Sequence, residues 1–171
     1  SHQVAVTDNG YQFVLSSAQS QKVDSDPGMP GGREGLGYFI NVYDPSGNFT
    51  GSALISDKDQ NYIEDINVGR VISASNSDSA IISTRKNVYL IDNEGNKNNI
   101  FEIPENELTQ SFEHPVVSTF YNGDFYIGTK DYIRQFSIDG ELKETINAGG
   151  DLHGFDVSGN RIAIAVANSP A

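Results

Sequence analysis

Apolar residues fall at every second position through most of the chain, and the alternation breaks at clusters of Asp, Asn, Gly and Ser. In 38–55 (YFINVYDPSGNFTGSALI), 87–103 (NVYLIDNEGNKNNIFEI) and 132–146 (YIRQFSIDGELKETI) an aromatic-rich run meets a D-x-x-G or D-G turn, then a second short run. Period-two alternation describes a strand with one buried face, and these turn residues permit the tight reversal of a hairpin. Four other segments, 2–17, 69–84, 114–129 and 153–168, read the same way: strand, Asn/Gly/Asp/Ser turn, strand. In the last of them Ile162, Ile164 and Val166 alternate with Ala163, Ala165 and Ala167, which suits a strand packed between two sheets. Helical periodicity is nearly absent; only 103–112 (IPENELTQSF) reads as one helical turn or a loop.

The turn glycines Gly47, Gly95 and Gly140 lie 48 and 45 residues apart, a period of propeller repeats and too long for ankyrin or leucine-rich units. With the strands of each unit labelled A to D, the chain reads AB–CD three times and then AB. The predicted fold is an all-β propeller of about three and a half four-stranded antiparallel blades, part of a larger ring. Blade 1 spans 1–56, blade 2 70–104, blade 3 114–148 and half-blade 4 152–168, with a long loop insertion at 17–37. A sandwich of about fourteen strands is the alternative, but it gives no reason for turn chemistry to recur at a fixed period.

The stretch 114–168 resembles the repeat of NHL-type propellers. FYIGT (125–129) stands where that family has a YVADT-like strand, without its Asp, and YIRQFSIDGEL (132–142) matches the RIQVF and D-G-E-L elements. The resemblance implies the fold and leaves the function open. The surplus AB half gives the expectation of a piece cut from a longer propeller after strand B of the fourth blade. A second chain or sister fragment supplying C and D is the other arrangement, since an open array exposes strand edges.

Net charge is −12, from 23 acidic against 11 basic residues, and no basic stripe interrupts it, which excludes a nucleic-acid partner. No apolar run approaches the roughly 18 residues of a membrane helix, so no membrane insertion is expected. Cysteine is absent, which removes disulfides, thiolate metal sites and cysteine nucleophiles. Abundant Asn, Ser, Asp, Gly and Thr with few Lys and Arg point to an extracellular or cell-envelope protein.

In a propeller the B–C and D–A connections share one face. Residues 17–37, 56–69, 104–115 and 147–153 therefore fall together, as expected of binding loops on a rigid scaffold. We place the ligand contacts of this face at Arg33, an anchor for an anionic group, and at Arg70, His114, Asp151 and His153. His2, His114 and His153 share one repeat position, the start of strand A, with Arg70 near it in the remaining copy. A ring of imidazoles there can hold zinc, as channel histidines do in some NHL-type lyases; simple turn residues, and an expression tag at His2, account for the same pattern. Asp57, Asp59, Asn61 and Asp65 occupy positions 1, 3, 5 and 9 of DKDQNYIED, a spacing for calcium, although Tyr62 replaces the usual Gly and no Glu follows at position 12.

The glycine-rich 27–37 lacks the phosphate-loop pattern, and no G-x-S-x-G or HExxH is present. Asn48-Phe49-Thr50 is formally a glycosylation sequon in a C–D turn. The expected function is a non-enzymatic module binding a protein or glycan through the loop face. The alternative is a fragment of a metal-dependent propeller enzyme, a lyase or lactonase-type hydrolase, with its metal at His114 and His153. A purely structural spacer is the third reading.

Overall fold

Turn chemistry decides where the strands stop. The computed structural model describes residues 3–19, 36–56, 71–73, 78–84, 86–107 and 118–167. β1 (Gln3–Val6), β2 (Gln12–Gln19), β3 (Leu36–Tyr43) and β4 (Phe49–Ser56) form an antiparallel meander. A second meander holds β5 (Val71–Ser73), β6 (Ala80–Ser83), β7 (Asn87–Ile91) and β8 (Lys97–Glu102). The third comprises β9 (Ser118–Tyr121), β10 (Asp124–Gly128), β11 (Tyr132–Ser137) and β12 (Leu142–Asn147). β13 (Asp151–Ser158) and β14 (Arg161–Ala167) pair as a two-stranded sheet. The first strands β1, β5, β9 and β13 neighbour one another in succession, so the sheets radiate from an inner edge as the blades of a β-propeller do.

The C–D turns repeat one design. Asp44 Oδ1 accepts the backbone N–H groups of Ser46 and Asn48, both at 2.8 Å, while Asn48 Nδ2 donates to Asp44 Oδ2 at 2.9 Å. Asp92 does the same with Glu94 and Asn96. In the third blade Ser137 takes the place of the aspartate, its Oγ accepting from Glu141 N–H at 3.0 Å. Gly47, Gly95 and Gly140, with φ of 83°, 81° and 85°, occupy the left-handed position that each turn needs.

Between neighbouring sheets lie three apolar clusters. Phe13, Leu15, Ile40 and Val42 of the first sheet meet Ala80, Ile82 and Ile91 of the second. Ile81 and Val88 then meet Phe125, Ile127 and Phe136 of the third. Tyr126 and Ile133 finally meet Leu152, Phe155 and Val157 of the fourth. β6 and β10 are buried at every residue, facing a neighbour on both sides, which is why their sequences lack a polar alternation. On β14 Ile162 packs into the last cluster, but Ile164 and Val166 are exposed along with Ala163 and Ala165, so among the described residues the strand is not packed between two sheets as its alternation suggested. The helical hint at 103–112 becomes a single 3-10 turn at Glu105–Glu107 within the described residues.

Candidate functional site

Strand direction sends the B–C and D–A connections to one end of the array and the A–B and C–D turns to the other. The two ends differ. At the turn end Tyr43 leads to Phe49, Tyr121 to Asp124 and Ser158 to Arg161. At the other end β2 stops at Gln19 and β3 begins at Leu36, and β4 stops at Ser56 and β5 begins at Val71.

Of the residues singled out from sequence, His2, Arg33, Asp57, Asp59, Asn61, Asp65, Arg70 and His114 lie outside the described residues. Asp151 and His153 are both on β13. The expected 147–153 connection is shorter than the sequence suggested: β12 runs to Asn147 and β13 begins at Asp151. Its backbone is tied to the adjoining B–C turn, with Ala148 N–H donating to Asp131 O at 2.8 Å and Leu152 N–H to Lys130 O at 2.7 Å. His153 therefore sits inside the strand, exposed, at a bulge where the register with β14 shifts between Leu152 and Gly154. Among the described residues no three His, Cys, Asp or Glu side chains are grouped to hold a metal.

Under this end of the array is a buried polar network that the alternation pattern does not announce. Glu107 closes the 3-10 turn, its N–H donating to Pro104 O at 2.9 Å, and its side chain points into the second–third interface. Arg134 Nη2 donates to Glu107 Oε1 at 2.6 Å, and Thr129 Oγ1 to Glu107 Oε2 at 2.9 Å. Arg134 Nη1 completes the triangle on Thr129 Oγ1 at 3.0 Å. All three residues are buried, and the guanidinium lies over the Phe101 ring at 4.5 Å and the Tyr132 ring at 5.4 Å. The network joins the D–A connection leaving the second sheet to the third sheet. One signal was available: Arg134 shares parity with the core residue Phe136, and a charge at a core position requires a partner.

At the turn end, between the third and fourth sheets, there is a cleft of about 310 Å³ whose lining includes Asp124, Tyr126, Gln135 and Arg161. Nothing in the sequence hints at it, because its walls come from alternate residues of separate strands and from two tight turns.

No family model matches this chain, and no curated protein matches it. Among solved structures, BamB from Moraxella catarrhalis is similar over 95% of this chain and 40% of its own length, at 13% identity and a TM-score of 0.53. The AfRom2 CNH domain aligns with 95% of this chain and 46% of its own, at 14% identity and a TM-score of 0.46. A protein of unknown function from Bacteroides caccae aligns with 92% of this chain and 67% of its own, at 13% identity and a TM-score of 0.46. This chain spans about two fifths of the length of the BamB structure. At that identity the likeness is one of fold, and with the sheet order it places the chain among the β-propellers.

Proposed function

We propose that the chain is a non-enzymatic propeller binding module, extracytoplasmic, that recognises a protein or a glycan through the end carrying 17–37, 56–69, 104–115 and 147–153. The supporting observation is the asymmetry of the array: the long connections after β2, β4 and β8 all leave from one end, beside tight ones after β6, β10 and β12, whereas the other end carries shorter connections alone. Beneath that end the Glu107–Thr129–Arg134 triangle joins two blades, giving the connections a stiff base. Loops carried on a rigid scaffold are the usual arrangement for recognition. Ligand contacts at Arg33, Arg70, His114, Asp151 and His153, and calcium at Asp57, Asp59, Asn61 and Asp65, belong to this reading. So does the likeness of 114–168 to NHL-type repeats. No helix among the described residues is long and apolar enough to cross a membrane.

The test places a photo-crosslinking residue at position 151 in one version and at position 46, at the turn end, in another, and exposes each to an envelope fraction from the source cells. A second variant replaces 20–35 by Asn-Gly, a two-residue hairpin that closes the Gln19–Leu36 pair. The module predicts a discrete adduct from position 151, lost when 20–35 is replaced while the melting temperature holds. Adducts from position 46 alone, or none from either, overturn it. Stoichiometric zinc in the purified chain, lost with His153→Ala, would instead favour the lyase or lactonase alternative.

A further inference from the structure

The cleft at the turn end is built from one row of the third sheet and the A–B turn of the fourth. Tyr126, Gln135 and Glu144 are direct partners across β10, β11 and β12, so their side chains share a face. Lys143 is the residue skipped where the β11–β12 register shifts, and the bulge brings its ammonium to Asp124 Oδ1 at 2.5 Å. Gln135 Nε2 donates to the other oxygen, Oδ2, at 2.6 Å. Asp124 is thus buried, ion-paired and fixed, with acceptor capacity left on each oxygen.

Tyr126 is buried along its ring and lines the cleft, and no hydrogen bond ties its hydroxyl to another described residue. A tyrosine hydroxyl at the end of a buried ring usually finds a partner, from the protein or from what occupies the space beside it. Here it borders a cavity instead. Burial, and then the adjacent Asp124 charge, hold the phenol above its ordinary value, so it stays a neutral O–H donor and acceptor. Across the cleft, Gly159 N–H donates to the Tyr121 hydroxyl oxygen at 2.7 Å, which leaves the Tyr121 hydrogen to donate. Glu144 and Arg161 stand exposed at the rim.

The charges pair off: Asp124 in the wall is held by Lys143 from outside the lining, and Glu144 at the rim stands against Arg161. A balanced wall gives no preference to an anion or a divalent cation. It offers donors, from Arg161 and the Tyr121 hydroxyl, beside acceptors on Asp124 and Glu144, which is what a ligand rich in hydroxyl groups requires. At about 310 Å³ the cleft lies at the small end of ligand sites, roughly 300–1,000 Å³. We propose that this cleft binds a neutral saccharide unit, whose hydroxyls pair with the Tyr126 hydroxyl, the Asp124 carboxylate and the Arg161 guanidinium. The site is separate from the loop end invoked above.

The test is amide chemical-shift titration of the intact chain with glucose, galactose, mannose, N-acetylglucosamine, maltose and cellobiose into the millimolar range, with inorganic phosphate and calcium chloride as charged comparators. At least one sugar should give saturable shifts at Tyr126, Gly159 and Asn160. Tyr126→Phe keeps the ring packing and removes one hydrogen bond, so affinity should fall about tenfold. Arg161→Ala, at an exposed position that leaves the fold intact, should weaken the same sugar severalfold. The proposal fails if no sugar saturates these amides, if both variants bind like the parent chain, or if phosphate or calcium saturates them at lower concentration than every sugar.

Discussion

Glu107 and Arg134 are each buried, and among the described residues their side chains answer one another and Thr129, with two aromatic rings against Arg134. Removing one member of such a pair strands a charge, a cost of about 3–5 kcal/mol, whereas replacing both by apolar groups of similar volume is often near neutral. Glu107→Ala should therefore lower the urea unfolding free energy by about 3 kcal/mol, and Glu107→Leu with Arg134→Met by clearly less than either single change. Asp92 is a milder case. Partial burial pushes its carboxyl up, but hydrogen bonds from Asn96, Glu94 and Gly95 outweigh that and hold it below the ordinary 3.8. A lowered folded value means the turn is stabilised above pH 3.8 and loses that contribution as acid titrates the folded carboxylate. The gap in melting temperature between the parent chain and Asp92→Ala should be widest near neutrality and shrink below about pH 3.8.

Among the elements, the outer strand β4 and the second blade's C–D turn approach more closely than side chains allow. A Cβ on Gly51 would lie 1.8 Å from Glu94 O, and Thr50 Oγ1 already donates to Asn93 O at 2.7 Å. A methyl group on Gly47, by contrast, would meet nothing within 4 Å, and only the φ of 83° resists substitution there. Gly51→Ala should thus cost about 2–3 kcal/mol and Gly47→Ala about 1–2 kcal/mol, an order that thermal unfolding of the two variants would check. The sequence announced the turns, because Asp44 and Asp92 with their glycines are local chemistry. It also placed most of the strands, since alternation reports one buried face; β6 and β10, covered on both faces, showed instead as short apolar runs between turns. It could not announce Gly51, whose constraint comes from a turn more than forty residues away. Nor could it place His153, because a bulge depends on how β14 pairs.

For the molecule as a whole, the period of the turn glycines carried the architecture: repeat spacing implies that like units stack, and the sheet order follows. The interfaces between units were legible only in part. Ile81 and Val88 read as apolar, but nothing local says that they meet the third sheet rather than the first. The cleft was illegible for the same reason, since Asp124 and Arg161 become neighbours only when two sheets are set side by side.

Because each apolar cluster among the described residues joins two successive sheets, stability passes along the array between neighbours. Among the described residues the first sheet and the β13–β14 pair each hold to one neighbour, and the pair, with two strands against four, has less to hold it and opens first. The buried Glu107 triangle then acts as a ratchet stop: unravelling that begins at β14 meets it before reaching the second sheet. Hydrogen exchange should show β14 amides least protected and β10 amides far slower. In Glu107→Ala the protection of β10 and β11 should fall towards that of β14, while β2 and β3 keep theirs.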